Sequence, residues 1–229
     1  MKLAALFSGG KDSTFAIYEA QKLGHDVKCL ITILTHSADS HLLHHPNIKA
    51  TSLQAQTMKI PQISIKSDTV DVKKETELVK TALEKAKAEY HVEGVLHGGI
   101  LSEFQKTKFA DAAKSLGLDV VSPLWKKDQK QYMHELLDRG FEFIITSVSC
   151  AGLDESWLGK KITKQDLDKI ISLSEKHGFN LSFEGGEAET FVTNCPLFSS
   201  SILITDSSTH WDGYRGRFEI AHLKIQDNA

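Results

Sequence analysis

The run Lys2-Leu3-Ala4-Ala5-Leu6-Phe7-Ser8-Gly9-Gly10-Lys11-Asp12-Ser13 decides how the rest of the chain is read. Its first half is a short apolar stretch, as expected of a strand buried on both faces, and it stops at a Gly-Gly pair. Beyond the pair, Ala16, Ala20 and Leu23 recur at i, i+4 and i+7, the spacing of one helix face. The order is therefore strand, tight turn, helix. Gly24 ends that helix, and Val27 to Leu34 is a second β-rich run. Asn47 to Met58 then reads as a helix and Ile60 to Ile65 as a third strand, after which Val79, Ala82, Leu83, Ala86 and Tyr90 mark one face of a long helix. Gly94 to His97 is a fourth strand, Phe104 to Leu116 a helix stopped by Gly117, and Leu118 to Val121 a fifth strand. Strands alternating with helices of this length predict an α/β fold: a doubly wound, five-stranded parallel sheet with right-handed crossovers and helices on both faces.

The alternation breaks at Ser122-Pro123-Leu124-Trp125-Lys126-Lys127-Asp128, so a domain boundary is expected there, with one unit over residues 1–124 and a smaller C-terminal α/β unit over 125–229. In the second unit Gln131 to Arg139 reads as a helix, Phe141 to Val148 as a strand, and Thr163 with Asp166 as a capping box that opens a helix closed by Gly178. Further strands are expected at 190–193, 201–205 and 217–225.

The 229 residues suffice for a sizeable core, and 41% hydrophobic with 25% charged residues is the composition of an ordinary globular protein. No apolar run approaches the about 18 residues of a membrane span, and no leader pattern precedes Ser8, so a cytoplasmic protein with no membrane partner is expected. Three widely spaced cysteines, Cys29, Cys150 and Cys195, fit a reducing compartment. A net charge of −3 supplies no global field for a polyanion, which disfavours a nucleic-acid partner.

The chemistry concentrates at the turn after the first strand. In an open parallel sheet ligands bind at the carboxyl ends of strands, and a Gly-rich turn there aims backbone N–H groups and a helix N-terminus at an anion. A phosphate fits: Gly9 and Gly10 permit close approach, Ser8 and Ser13 add hydroxyls, Lys11 adds a mobile positive charge, and Asp12 can reach a metal ion. The Walker spacing is absent. The plain alternative is a glycine-rich turn that holds nothing. A second Gly-Gly pair, Gly98-Gly99, follows the fourth strand on the same rim, where Ser102 and Gln105 open a helix. The segment Glu184-Gly185-Gly186-Glu187-Ala188-Glu189-Thr190 places three carboxylates around a turn, suited to Mg²⁺ or an ammonium ion, or else simply a solvated acidic loop. His36, His41, His44 and His45 cluster after the second strand, but their spacing matches no zinc site. His44 and Asn47 read instead as lining the cleft, or as plain surface residues.

Ser8-Gly9-Gly10-Lys11-Asp12-Ser13 resembles the pyrophosphate loop of the N-type ATP pyrophosphatases, which cleave ATP to AMP and pyrophosphate on an adenine nucleotide alpha hydrolase-like, Rossmann-like fold. His44-His45-Pro46-Asn47, Gly98 to Lys106, Pro123-Leu124-Trp125, Gly152-Leu153-Asp154 and Gly185 to Thr190 narrow the resemblance to the diphthine-ammonia ligase family, over Met1 to about Phe198 and in its short archaeal form. Gly99 and His45 depart from the family pattern and are not carried over. The resemblance implies ATP and Mg²⁺ as cofactors, with translation elongation factor 2 carrying diphthine and ammonium as substrates. It implies Lys11, Asp12, Glu187 and Glu189 as catalytic residues. Ser8, Gly9, Gly10, Lys11, Asp12, Ser13, His44, Asn47, Gly98, Ser102 and Gln105 would bind the nucleotide, and Asp12 the metal. A homodimer is one option for its assembly. Two other readings remain: a tRNA-modifying relative of the thiolating or lysidine-forming kind, which should show paired cysteines or a basic surface, and a regulatory module that binds ATP without chemistry.

Overall fold

The computed structural model describes residues 1–35, 50–68, 71–101 and 103–226; at 72, 103–106, 108 and 109 it describes the backbone alone. His36, His41, His44, His45, Asn47 and Ser102 lie outside the described residues, as does the side chain of Gln105.

The first unit alternates strand and helix as the pattern requires: β1 (Lys2–Leu6), α1 (Lys11–Lys22), β2 (Asp26–Thr35), α2 (Thr51–Met58), β3 (Gln62–Ser67), α3 (Val72–Tyr90), β4 (Gly94–Leu96), α4 (Glu103–Ser115) and β5 (Asp119–Val121). The strands form one sheet in the order β3-β2-β1-β4-β5, every neighbouring pair parallel. Order reverses between β1 and β4, and in such a sheet the crevice outside the carboxyl ends of those two strands is where a ligand fits.

Both faces of this sheet are covered, and β1 shows how. Leu3, Ala5 and Phe7 join a core with Phe15, Ile17 and Ala20 of α1 and with Ala55 and Met58 of α2. Ala4, one residue out of phase, joins a second core with Val79, Leu83 and Ala86 of α3 and Ala113 of α4. Period-2 alternation between two apolar faces explains the continuous apolar run. One face residue differs from the sequence pattern. Leu23 is 66% exposed, because α1 ends at Lys22 and Gly24, at φ +82, turns the chain away before Leu23 can pack.

The second unit carries α5 (Gln129–Asp138), β6 (Glu142–Val148), α6 (Lys164–His177), β7 (Ala188–Asn194), β8 (Ser201–Trp211) and β9 (Gly216–Gln226). Its four strands are antiparallel in the order β7-β6-β9-β8. The capping box at Thr163 and Asp166 opens α6, and Gly178 closes it at φ +76. The first core does not stop at the chain's midpoint. Tyr132, Phe141, Phe143, Ile145 and Val192 belong to it, and Phe15 meets Tyr132 and Phe141 edge-on with centroids 5.6 and 5.1 Å apart. The face of β1 and α1 is thus covered by the second unit, which brings β7 against the Gly-Gly turn. Among the described residues no helix is long and apolar enough to cross a membrane.

Candidate active site

The turn between β1 and α1 is shaped by its own hydroxyls. Ser8 Oγ and Ser13 Oγ lie 3.2 Å apart, Ser13 Oγ donates to the Gly10 carbonyl at 3.2 Å, and Thr14 Oγ1 donates to the same carbonyl at 2.8 Å. Gly9 sits at φ +80, and a Cβ there would fall 2.3 Å from Oε1 of the buried Gln54, so both conformation and space demand glycine. Sequence pattern does not mark Gln54 as a site residue. Its Nε2 donates to the carbonyls of Gly9 at 2.9 Å and Val192 at 2.7 Å, tying the turn to β7, while Val192 N–H donates to Gly9 O at 3.0 Å.

Lys11 is placed differently from the mobile charge expected of it. Its side chain is 1% exposed, with Nζ 3.0 Å from both carboxylate oxygens of Asp12 and 2.6 Å from the carbonyl of Ser182, and it lies over the Phe183 ring. An ammonium buried this deeply needs a counter-charge and acceptors, and Asp12 and Ser182 supply them. Tyr132, fully buried, donates its hydroxyl to Asp12 Oδ1 at 2.7 Å. Burial first, and then the Asp12 charge, push the Tyr132 phenol well above its ordinary range, so it is a donor here and not a base.

The acidic segment divides. Glu184 reaches the first unit: its Oε2 accepts from Ile100 N–H at 3.1 Å and Leu101 N–H at 3.2 Å, on the rim beyond β4. Burial, and then Asp12, push its carboxyl up, with Lys11 and the two amides opposing. Glu187 instead serves its own turn, accepting from Asn180 N–H and Nδ2 at 2.9 Å and from Gly185 N–H at 2.8 Å. Glu189 stands near the start of β7, half-buried, its N–H donating to Ser147 Oγ at 3.2 Å. The structure therefore brings together Ser8 to Ser13, Tyr132, Glu184, Thr190, whose Oγ1 accepts from Lys11 N–H at 3.1 Å, and Gly98, which lies against Asp12, and leaves Glu187 outside that group. Spacing alone does not say which of three carboxylates faces inward, and it marks neither Glu184 nor Thr190 as a site residue.

On the β4 side, Gly98 lies against the start of α1: a Cβ there would be 2.6 Å from the Asp12 carbonyl carbon and oxygen. The turn is held by His97, buried at 3% exposure, whose Nδ1 accepts from Gly99 N–H at 3.1 Å. An N–H can only donate, so the ring's proton sits on Nε2, 2.7 Å from Ser122 Oγ. Burial pushes the Cys29 and Cys195 thiols up to about 12 and raises Cys150 as well, so none of the three is poised as a nucleophile.

The chain matches two described families in succession: Diphthamide synthase N-terminal domain over residues 1–121 and Diphthamide synthase C-terminal domain over residues 128–225. It is 32% identical to a diphthine–ammonia ligase of Danio rerio over 91% of this chain and 88% of that protein. A Homo sapiens protein of the same name is 30% identical over 90% and 84%, and one from Schizosaccharomyces pombe is 31% identical over 99% of this chain but 39% of its own length. With both units matched in order and a third of the residues shared across nine-tenths of the chain, the protein belongs to the diphthamide synthase family.

Proposed function

We propose that this protein amidates diphthine on translation elongation factor 2 in the cytoplasm, using ATP and ammonium and releasing AMP and pyrophosphate. The observation that carries the reading is the Ser8–Ser13 turn: a self-braced Gly-Gly loop at the switch point of a parallel sheet, feeding the N-terminus of α1. Residues 1–124 would hold the nucleotide and 125–229 the diphthine-bearing substrate.

A carboxylate is a poor acyl donor because its oxygen cannot leave, so amidation requires activation. Adenylation supplies the leaving group: the diphthine carboxylate attacks the α phosphorus, pyrophosphate departs, and ammonia then displaces AMP from the acyl adenylate. The first-turn N–H groups of α1 have no acceptor within the helix, and those beyond Lys11, whose N–H bonds Thr190 Oγ1 at 3.1 Å, would receive the departing pyrophosphate. Lys11 holds Asp12 in place and adds positive charge beneath the turn. Asp12 is the residue that would hold Mg²⁺. Among the described residues no group of three His, Cys, Asp or Glu side chains comes together as a metal site. One carboxylate fits an ion whose remaining ligands are substrate phosphates and water. When bound, Mg²⁺ supplies charge neutralisation on the phosphates. His44, Asn47, Gly98, Ser102 and Gln105 are proposed to complete the nucleotide cleft. No cysteine or serine nucleophile is needed.

The test is product analysis. Incubation with ATP, Mg²⁺, ammonium and diphthine-bearing elongation factor should yield AMP and pyrophosphate in step with amide. ADP as the only nucleotide product would place the protein in another reaction class.

Glu187 and Glu189 are proposed to matter for amide formation more than for ATP binding, Glu187 by shaping its turn and Glu189 from the start of β7. Glu189→Gln should lower the amidation rate by about 10², the scale of one lost charge-stabilising group, and Glu187→Gln by less, through its turn, with calorimetric ATP affinity within a fewfold in both. Wild-type rates in both would leave Glu187 and Glu189 with structural roles alone.

A further inference from the structure

Helix α1 begins without a cap of its own. Its N-cap residue is Gly10, which has no side chain to offer, and no side-chain cap bond is made from that position. The first amide of the helix is capped instead from 179 residues away: Lys11 N–H donates to Thr190 Oγ1 at 3.1 Å. Thr190 lies on β7, an edge strand of the second sheet, with its hydroxyl oxygen 3.3 Å and its carbonyl oxygen 3.2 Å from where a Gly10 Cβ would stand. The same edge is fastened to the turn by Val192 N–H on Gly9 O and by the single Gln54 amide that donates to both carbonyls. Thr190 is thus fixed in register with the loop by backbone and buried amide contacts, not by its own side chain. The residue is half-buried.

A hydroxyl that accepts from an N–H still has its own proton to donate. An anion drawn to the first turn of α1 therefore meets the Thr190 hydroxyl beside the Lys11 amide. We propose that Thr190 is a direct ligand of the pyrophosphate group, so that β7 of the second unit completes the phosphate cradle begun by Ser8 to Ser13. This rests on the pyrophosphate reading of the turn. It makes the cradle a product of both units: β7 must be seated for the loop to hold phosphate at full strength.

The alternative for the same geometry is a stand-in cap that the phosphate displaces, and the two differ in sign. A ligand loses affinity when its hydroxyl is removed, whereas a competing cap, once removed, leaves the Lys11 amide open and strengthens binding. Calorimetry with inorganic pyrophosphate, and separately with ATP, on the full chain decides between them. Thr190→Val keeps the shape of the side chain and should weaken pyrophosphate binding about tenfold, the scale of one hydrogen bond to a charged group. Thr190→Ser keeps the hydroxyl and should recover most of that loss, which a purely steric role for the methyl group would not allow. Thr190→Ala, which adds no new contact, is the second variant and should behave as Val, with unfolding curves showing each protein folded at the assay temperature. Undiminished or tighter pyrophosphate binding by Thr190→Val and Thr190→Ala, with clear binding by the wild type, would overturn the Thr190 assignment and leave the loop's function standing. No binding of either pyrophosphate or ATP by the wild type would overturn both.

Discussion

Replacing Lys11 with Met is expected to lower the unfolding free energy by about 3 kcal/mol and to abolish turnover. This is the low end of what breaking a buried ion pair costs, because the Asp12 side chain is 27% exposed and water softens its loss. Met preserves most of the volume, so the change reports charge and hydrogen bonding more than packing. Two groups lose their partner: the Asp12 carboxylate, left with the Tyr132 hydroxyl, and the Ser182 carbonyl, whose bond from Nζ is 2.6 Å. Because Ser182 belongs to the second unit, the substitution also loosens the seating of that unit on the turn. Urea unfolding of Lys11→Met, Asp12→Asn and the double variant separates the contributions. If the uncompensated Asp12 charge carries most of the cost, the double variant should be more stable than Lys11→Met alone. Wild-type stability of Lys11→Met would mean that this ion pair contributes nothing to the fold.

Read from sequence, Lys11 is the mobile charge of a phosphate loop, and its burial between two distant partners is not foreseen, for a general reason. The strand, turn and helix around it follow from local signals: an apolar run, a Gly-Gly pair and helical spacing. The sheet order follows as well, since parallel strands with intervening helices have few arrangements. What local pattern cannot carry is a contact made 120, 171 or 179 residues away. The partners of Lys11 at Ser182 and Thr190 are such contacts, and so is the Tyr132 hydroxyl on Asp12. Tyr132 lies on the apolar face of α5, where an aromatic ring reads as core, and most of it is core; only its hydroxyl does something else. Gln54 is hidden in a different way. On a short helix a glutamine reads as solvent-facing, yet here it is fully buried because two carbonyls of loop and strand need one amide between them. Glu184 was visible as one of three neighbouring carboxylates, and only the fold shows that it bonds Ile100 and Leu101 across the cleft while Glu187 bonds its own turn.

Gly98→Ala should abolish nucleotide binding, or weaken it so far that turnover falls by about 10² or more. Nothing in the backbone conformation of Gly98 demands glycine; the space does. An added Cβ would lie 2.6 Å from the carbonyl carbon and oxygen of Asp12 and 2.7 Å from the Ser13 nitrogen, all backbone atoms in the first turn of α1. Neither side can yield by rotating a side chain, so one loop must move. The β4 turn is braced by His97 on Gly99 N–H and by Glu184 on Ile100 and Leu101, while α1 is braced by Thr190 and by the ion pair of Lys11 with Asp12. Overpacking of this kind costs about 1–3 kcal/mol of stability, which a folded domain tolerates. Its effect on the site is larger, because a displacement near 1 Å of positioning groups can cost about 10² in rate. Gly99→Ala is the matched control. Its Cβ would meet the His97 ring edge at 3.1 Å, a contact that a small tilt of the ring relieves, so nucleotide affinity should stay within a fewfold of wild type. ATP affinity and turnover measured on both variants, with unfolding curves to confirm that each is folded, distinguish a steric lesion at the cleft from general damage to the rim. Wild-type ATP affinity in a folded Gly98→Ala would mean that the nucleotide does not lie where the turns after β1 and β4 meet.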